Sequence, residues 1–330
     1  MIAQNKTMQK LLSEVEFIRK SDCPVLIIGE TGTGKEIVAD YIHSNSLRAD
    51  RNFIKVSLSS LPDSLIESEL FGHEKGAYTG ADRARSGFFE SANNATIFLD
   101  DIDDFPFHLQ SKLLRVIENN QVIRIGTNTP VYTDARIIAS SKVELNRLVD
   151  KGSFRSDLFY RLSVFRLYIP PLRERKDDIP SLLNHFLNVE KTSTNGFIDI
   201  TKLNLVSLFD YDWLGNVREL RNFAEKLSLY PVEEIYSNFE RIFEAFSAGN
   251  FRHSVLEPES QQQVQAKPEV KKRRLDESVA EYEKQLICNT LKQSFGNVNL
   301  AARILGVLPS TLRYKIKQYK INSKDFKNII

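Results

Sequence analysis

Cysteine is scarce in this chain of 330 residues: Cys23 and Cys288 stand far apart and without partners at metal-binding spacing. Neither a disulfide framework nor a zinc site is supported, and the usage fits a reducing compartment. Long apolar runs are missing too. None approaches the roughly 18 residues needed to cross a membrane, although 42% of the residues are hydrophobic. Met1–Lys10 lacks the charged-then-apolar pattern of a secretion signal, so the expected location is cytoplasmic, with no membrane partner. Acids are absent between Glu283 and Asp325.

That last absence polarises a chain whose net charge is only +2. Residues 271–330 hold thirteen Lys/Arg against five Asp/Glu, a local +8, which leaves 1–270 at −6. A basic module behind a mildly acidic body points to nucleic acid at the C-terminal end. A solvated basic face explains the charge alone equally well.

Short β-rich apolar runs alternate with helical stretches at Val25–Gly29, Phe53–Ser57, Thr96–Asp100, Ala135–Ser140 and Val164–Pro170. Near-continuous apolar strands between helices predict an α/β fold with a parallel sheet buried on both faces. Val122–Ile125 and Val131–Thr133 predict a hairpin across Gly126–Pro130. From Asp178 to about Phe246 the pattern is helical only. Arg252–Arg274 is too polar to build a core and reads as a flexible linker. A last helical unit runs from about Glu277 to Tyr319.

Two segments carry nucleotide chemistry. Gly29-Glu30-Thr31-Gly32-Thr33-Gly34-Lys35 follows an apolar strand and precedes a helix. Its glycines let backbone N–H groups turn toward phosphate oxygens at a helix N-terminus, and Lys35 reaches the terminal phosphates. Glu36 stands where a hydroxyl ligand for magnesium is usual. Thr96–Asp101 ends a strand in two acids: Asp100 is placed to hold Mg2+ and Asp101 to activate the attacking water.

With these motifs in hand, the chain resembles the sigma-54-dependent enhancer-binding activators, a branch of the AAA+ ATPases, from about Lys6 to Ile321. The most specific match is Glu69–Ala81, whose last six residues, Gly76, Ala77, Tyr78, Thr79, Gly80 and Ala81, correspond to the family's sigma-54-contacting loop, usually with Phe at Tyr78. Gly152–Leu162 is similar to the segment that offers arginines to a neighbouring subunit's ATP, which implies trans roles for Arg155 and Arg161. Without the family, a surface ion pair such as Arg155 with Asp157 is the preferred reading. Trp213–Asn222 is similar to the lid segment whose arginine senses the γ-phosphate, here Arg218; the family usually has Pro at Leu214.

Three departures surround the water: Ser57 stands for the family's Asn, Asp101 for its catalytic Glu, and Lys142 for its phosphate-sensing Asn, with Ser141 in place of Thr. Shortened side chains there predict slow hydrolysis or dependence on a partner subunit.

Asn297–Gly306 and Thr311–Ile316 resemble the Fis-type helix-turn-helix, with a turn at Gly306. Leu312 and Ile316 face inward, while Thr311, Arg313 and Lys315 are left for bases and phosphates. The alternative is a basic bundle docking on protein. Leu308 and Pro309 sit where many relatives carry polar contacts.

The expected division is therefore an AAA+ α/β ATPase subdomain at 1–171, a helical lid at 172–250, a linker at 251–276 and a DNA-binding domain at 277–330. The resemblance implies ATP and Mg2+ as cofactors. Its partners would be upstream DNA, sigma-54 RNA polymerase and further copies of the chain, from dimer to hexamer. A phospho-acceptor or ligand-sensing domain normally precedes such a core; here regulation would act through a protein in trans, or the chain would lack its original N-terminus. Two rivals remain: a DNA-binding regulator or heteromer subunit that binds nucleotide without turning it over, and a AAA+ remodeller of other proteins.

Overall fold

The computed structural model describes residues 2–189, 197–254, 284, 287, 290, 291, 294, 297–305, 307, 309–319 and 321. Residues Met1–Glu257 and Pro258–Ile330 form two compact units.

In the first unit, α1 (Lys6–Ile18) begins at Asn5, whose side chain accepts from Thr7 N at 2.9 Å and satisfies one of the orphan donors of the first turn. Then follow β1 (Val25–Ile28), α2 (Lys35–Ser44), β2 (Phe53–Ser57), α3 (Asp63–Phe71), α4 (Phe88–Ser91) and β3 (Ala95–Asp100). After α5 (Gln110–Asn119) come the short β4 (Gln121–Ile123) and β5 (Pro130–Tyr132), and then β6 (Ala135–Ser141). The α/β part closes with α6 (Leu145–Asp150), α7 (Ser156–Leu162) and β7 (Phe165–Tyr168).

Five strands form one parallel sheet in the order β2-β3-β6-β1-β7. Alternation along β1 shows why its sequence is apolar without a break. Val25 and Ile27 pack on α1 and α2, with Met8, Val15, Val38 and Ile42; Leu26 and Ile28 pack on the opposite layer, with Leu70, Phe71, Leu113 and Leu158. The five expected strands are present. The hairpin is shorter than predicted: β4 ends at Ile123, and Ile125 instead bonds to the segment around Gly72.

The helical segment contains α8 (Ile179–Val189), α9 (Val206–Asp210), α10 (Asn216–Leu227) and α11 (Val232–Ser254), the last broken by a non-helical Asn238. Trp213 is fully buried at its centre, against Tyr211, Phe223 and Phe243. Because α11 continues to Ser254, residues 251–254 of the expected linker are helical. Residues 255–276 lie outside the described residues.

The second unit contains α12 (Val298–Ile304) and α13 (Pro309–Gln318). Ile287, Leu291, Ala301, Ala302 and Leu312 form its buried core, and Ile316 packs against it, as the inward spacing predicts. Gly306 and Leu308, and most of the predicted helix Glu277–Phe295, lie outside the described residues.

Candidate nucleotide site and interaction loop

The C-terminal ends of β1, β3 and β6 are neighbours in the sheet, and the turns that leave them bring the sequence-predicted residues together. Gly29 N donates to Ser141 O at 3.1 Å, tying the start of the phosphate loop to β6. Gly32 and Gly34 have φ of +78° and +100°, values that L side chains rarely adopt, so the curl of the loop depends on glycine there. Gly34 caps α2 without a side-chain hydrogen bond, leaving the first-turn N–H groups of Lys35 and Glu36 for an anion. Lys35 is buried, and its Nζ donates to Gly29 O at 3.0 Å. Burial holds its ammonium below the ordinary lysine range, opposed by the charges of Asp100, Asp101 and Asp103.

Glu36 and Glu30 point elsewhere. Lys55 Nζ holds Glu36 Oε1 at 2.9 Å and also engages Asp40, so the Glu36 carboxylate is turned away from the loop. Arg173 grips the Glu30 carboxylate with both arms, at 2.9 and 2.6 Å. That pairing keeps Glu30 below the usual carboxylate range. Thr33 is buried with its hydroxyl donating to Glu30 O at 2.7 Å, and Thr31 is exposed.

Across the sheet, Asp100 and Asp101 are linked through Ser140. Asp101 N donates to Ser140 Oγ at 3.2 Å, and that hydroxyl donates to Asp100 Oδ1. Asp101 adopts a left-handed backbone (φ +58°) and accepts from Ser59 Oγ at 2.8 Å. Ser57 does not reach Asp101; its Oγ lies 3.4 Å from that of Ser59. Lys142 bonds Asp104 Oδ2 at 2.7 Å, which raises it above the ordinary lysine value. Asp103 is pushed up by burial. Ser59 and Ser140 are additions the sequence did not flag: serines in and after strands have no distinguishing periodicity.

Beside the loop, a cavity of about 300 Å³ is lined by Ile2, Thr33, Gly34, Ile37, Arg175, Leu182, His185, Phe186 and Val217. Arg218 lies against the loop, its N–H 3.3 Å from Gly32 O. Arg155 and Arg161 sit on the outer surface, bonded to Asp157 and Glu118. The donor set fits a nucleotide with its metal: N–H groups and Lys35 for phosphate, the Asp100 carboxylate for a hard cation, and an apolar slot for a base.

On α3's exit, the loop Gly76–Ala81 is closed by Gly76 N to Ala81 O at 2.9 Å and Ala81 N to Tyr78 O at 3.1 Å. Ala77 is half-buried, Thr79 and Gly80 are exposed, and Tyr78 packs edge-on against His73 with ring centroids 5.1 Å apart. The base is held from two sides. His73 and Arg85 exchange backbone bonds at 2.9 Å, and Glu74 N donates to Ile125 O of the hairpin segment, also at 2.9 Å. Arg124 bridges Glu74 and Glu90 at 2.6–2.9 Å.

In the second unit, Thr311 and Arg313 are exposed on α13 and Lys315 is half-buried; Arg313 Nη2 donates to Asn299 Oδ1 at 3.2 Å.

The sigma-54 interaction domain model matches residues 1–168, the AAA+ ATPase lid domain 173–242, and the bacterial regulatory protein, Fis family, 278–319. The regulatory protein AtoC of Escherichia coli is 40% identical over 98% of this chain and 68% of its own length. The DNA-binding transcriptional regulator NtrC of Proteus hauseri is 38% identical over 97% and 70%. NtrX from Brucella abortus, solved in complex with ADP, superposes with a TM-score of 0.64 at 28% identity, over 97% of this chain and 69% of that one. The chain belongs to the sigma-54-dependent transcriptional activators, with a AAA+ core and lid followed by a Fis-family DNA-binding helix-turn-helix.

Proposed function

We propose that this protein binds upstream DNA and uses ATP hydrolysis in an oligomeric ring, a hexamer, to remodel sigma-54 RNA polymerase at the closed promoter complex. The observation that carries the reading is the convergence of Lys35, Asp100 and Asp101 at the C-terminal ends of β1 and β3, on either side of β6, in a molecule that also carries the Tyr78 loop. Adenine enters the apolar slot beside Gly34, the phosphates lie on the loop, and Lys35 leaves Gly29 O for them. Asp100 would hold magnesium, which would supply positive charge against the phosphates. Asp101 orients and deprotonates water, Arg218 faces the γ-phosphate, and a neighbour's Arg155 and Arg161 exchange Asp157 and Glu118 for transition-state charge. Dimers reach DNA through 277–321, with Thr311, Arg313 and Lys315 at the groove.

ATP turnover should rise more than linearly with protein concentration, with Lys35→Ala as the blank. Linear turnover would remove the trans arginines, and turnover equal to the blank would remove the motor. With Asp101 held by Ser59 rather than Ser57, hydrolysis is also slow, by up to about a hundredfold for a water displaced by about 1 Å. A single-turnover rate equal to that of a member with Asn and Glu at these places would sink that part. The contact that favours the rival, a nucleotide-binding regulator, is the Lys142–Asp104 pair, which leaves the γ-phosphate side without an amide sensor.

The loop's base makes a separate prediction. A Cβ at Gly87 would lie 2.4 Å from Leu70 O and 2.5 Å from Gly72 N, both backbone atoms that cannot yield. Gly87→Ala should therefore displace the loop and cut sigma-54-dependent open-complex formation by more than about tenfold while turnover stays within about threefold. Parallel loss of both activities would mean that this crossing holds the ATPase core rather than the loop.

A further inference from the structure

The phosphate loop has two faces. One carries the backbone N–H groups of Gly32 and Gly34, left for phosphate in the site proposed above; on the other, three consecutive carbonyls, those of Thr31, Gly32 and Thr33, end on the helical segment. Asn216 Nδ2 donates to Thr31 O at 3.0 Å and to Glu30 Oε2 at 3.2 Å, while its Oδ1 accepts from Leu172 N at 2.8 Å. Val217 N donates to Gly32 O at 2.9 Å, and Arg175 Nη2 to Thr33 O at 2.7 Å. Arg173 holds the Glu30 carboxylate from the same side. The fit leaves no slack: a Cβ on Gly32 would stand 2.3 Å from Gly215 O.

A peptide unit is planar, so its C=O and the following N–H cannot turn independently. The plane that offers Thr31 C=O to Asn216 offers Gly32 N–H to phosphate. The plane that offers Thr33 C=O to Arg175 offers Gly34 N–H. Rotation of either plane toward a phosphate must stretch or re-aim its bond on the lid side. Asn216 is fully buried in a left-handed backbone (φ +53°), directly before Val217 and Arg218.

We propose that Glu30 and Asn216 form a latch that converts phosphate binding on the front of the loop into movement of the lid. Asn216 is a positioning residue for Arg218, and the Glu30 side chain serves the lid rather than the nucleotide. The inference rests on the nucleotide site proposed above.

Trp213, the chain's one tryptophan, is a reporter built into this latch: it is buried, and its carbonyl accepts from Asn216 N at 2.7 Å. In the full chain, a non-hydrolysable ATP analogue should change Trp213 emission. Asn216→Asp keeps the shape and tolerates the left-handed backbone, but sets a carboxylate against Glu30 and Thr31 O. It should lose most of that change while affinity for a fluorescent ATP analogue stays within about tenfold, the scale of one hydrogen bond. Glu30→Gln, at a partly exposed position, should weaken the change without threatening the fold. Glu30→Gln with Asn216→Asp should recover part of it, because the amide introduced at position 30 then donates to the new carboxylate. Nucleotide binding with no emission change in wild type, or with an unaltered change in Asn216→Asp, overturns the latch alone. Absence of recovery in the double variant overturns the pairing of 30 with 216. Failure of the wild type to bind the fluorescent analogue overturns the nucleotide site beneath both.

Discussion

Asp101→Asn should lower the single-turnover rate of ATP hydrolysis by about a hundred- to a thousandfold, within the range lost with a general base, while ATP affinity stays within about threefold. Asn is the informative replacement because the site constrains the backbone first. Asp101 is left-handed, a conformation that Asn and Asp tolerate and longer side chains pay strain to adopt. Its N–H remains bonded to Ser140, so the relay to Asp100 is undisturbed. The oxygen of the introduced amide still accepts from Ser59, in place of the carboxylate. What disappears is the capacity to take a proton. Ser59→Ala, which frees the carboxylate without removing it, should cost about tenfold, within what a small misplacement costs. A loss under about fivefold for Asp101→Asn would place water activation on another group.

The sheet and the phosphate loop are legible in the sequence because both are local patterns: apolar runs of strand length, and glycines at fixed offsets from a lysine. The hairpin's register is not. Ile125 continues the apolar run of β4, yet bonds to Gly72 and Glu74, about fifty positions upstream, where no local pattern competes with the run. The latch is hidden for the same reason: Glu30 and Asn216 are 186 positions apart and meet only after the lid has packed. Motif membership groups Glu30 and Glu36 with the nucleotide ligands, whereas their side chains are held by Arg173 and Lys55. At α13 the inward spacing of Leu312 and Ile316 is sufficient, since a helix's period declares which residues are left outside.

Trp213 tests how much of the lid's stability one side chain carries. The segment Trp213–Asn222 stands out in the sequence for Arg218, but its largest residue is the core itself. Trp213 is fully buried, edge-on to Tyr211 at 5.1 Å between centroids and 5.9 Å from Phe243, and its Nε1 donates to Leu208 O at 2.8 Å. Trp213→Ala removes these contacts, leaves a cavity and strands a buried carbonyl, so a loss of about 3–5 kcal/mol is expected. Its left-handed backbone (φ +49°) gives alanine no conformational compensation. The adjacent Leu214 is 58% exposed, so Leu214→Ala should change stability by less than about 0.5 kcal/mol. Denaturant unfolding followed by circular dichroism reads both. Nucleotide affinity should fall with Trp213→Ala and not with Leu214→Ala, because losing the buried indole lets the turn at residue 213 shift, and Asn216 N hangs on that residue's carbonyl. A Trp213→Ala protein that unfolds with the wild-type midpoint would show that the lid is held by its contacts with the phosphate loop rather than by its own aromatic core.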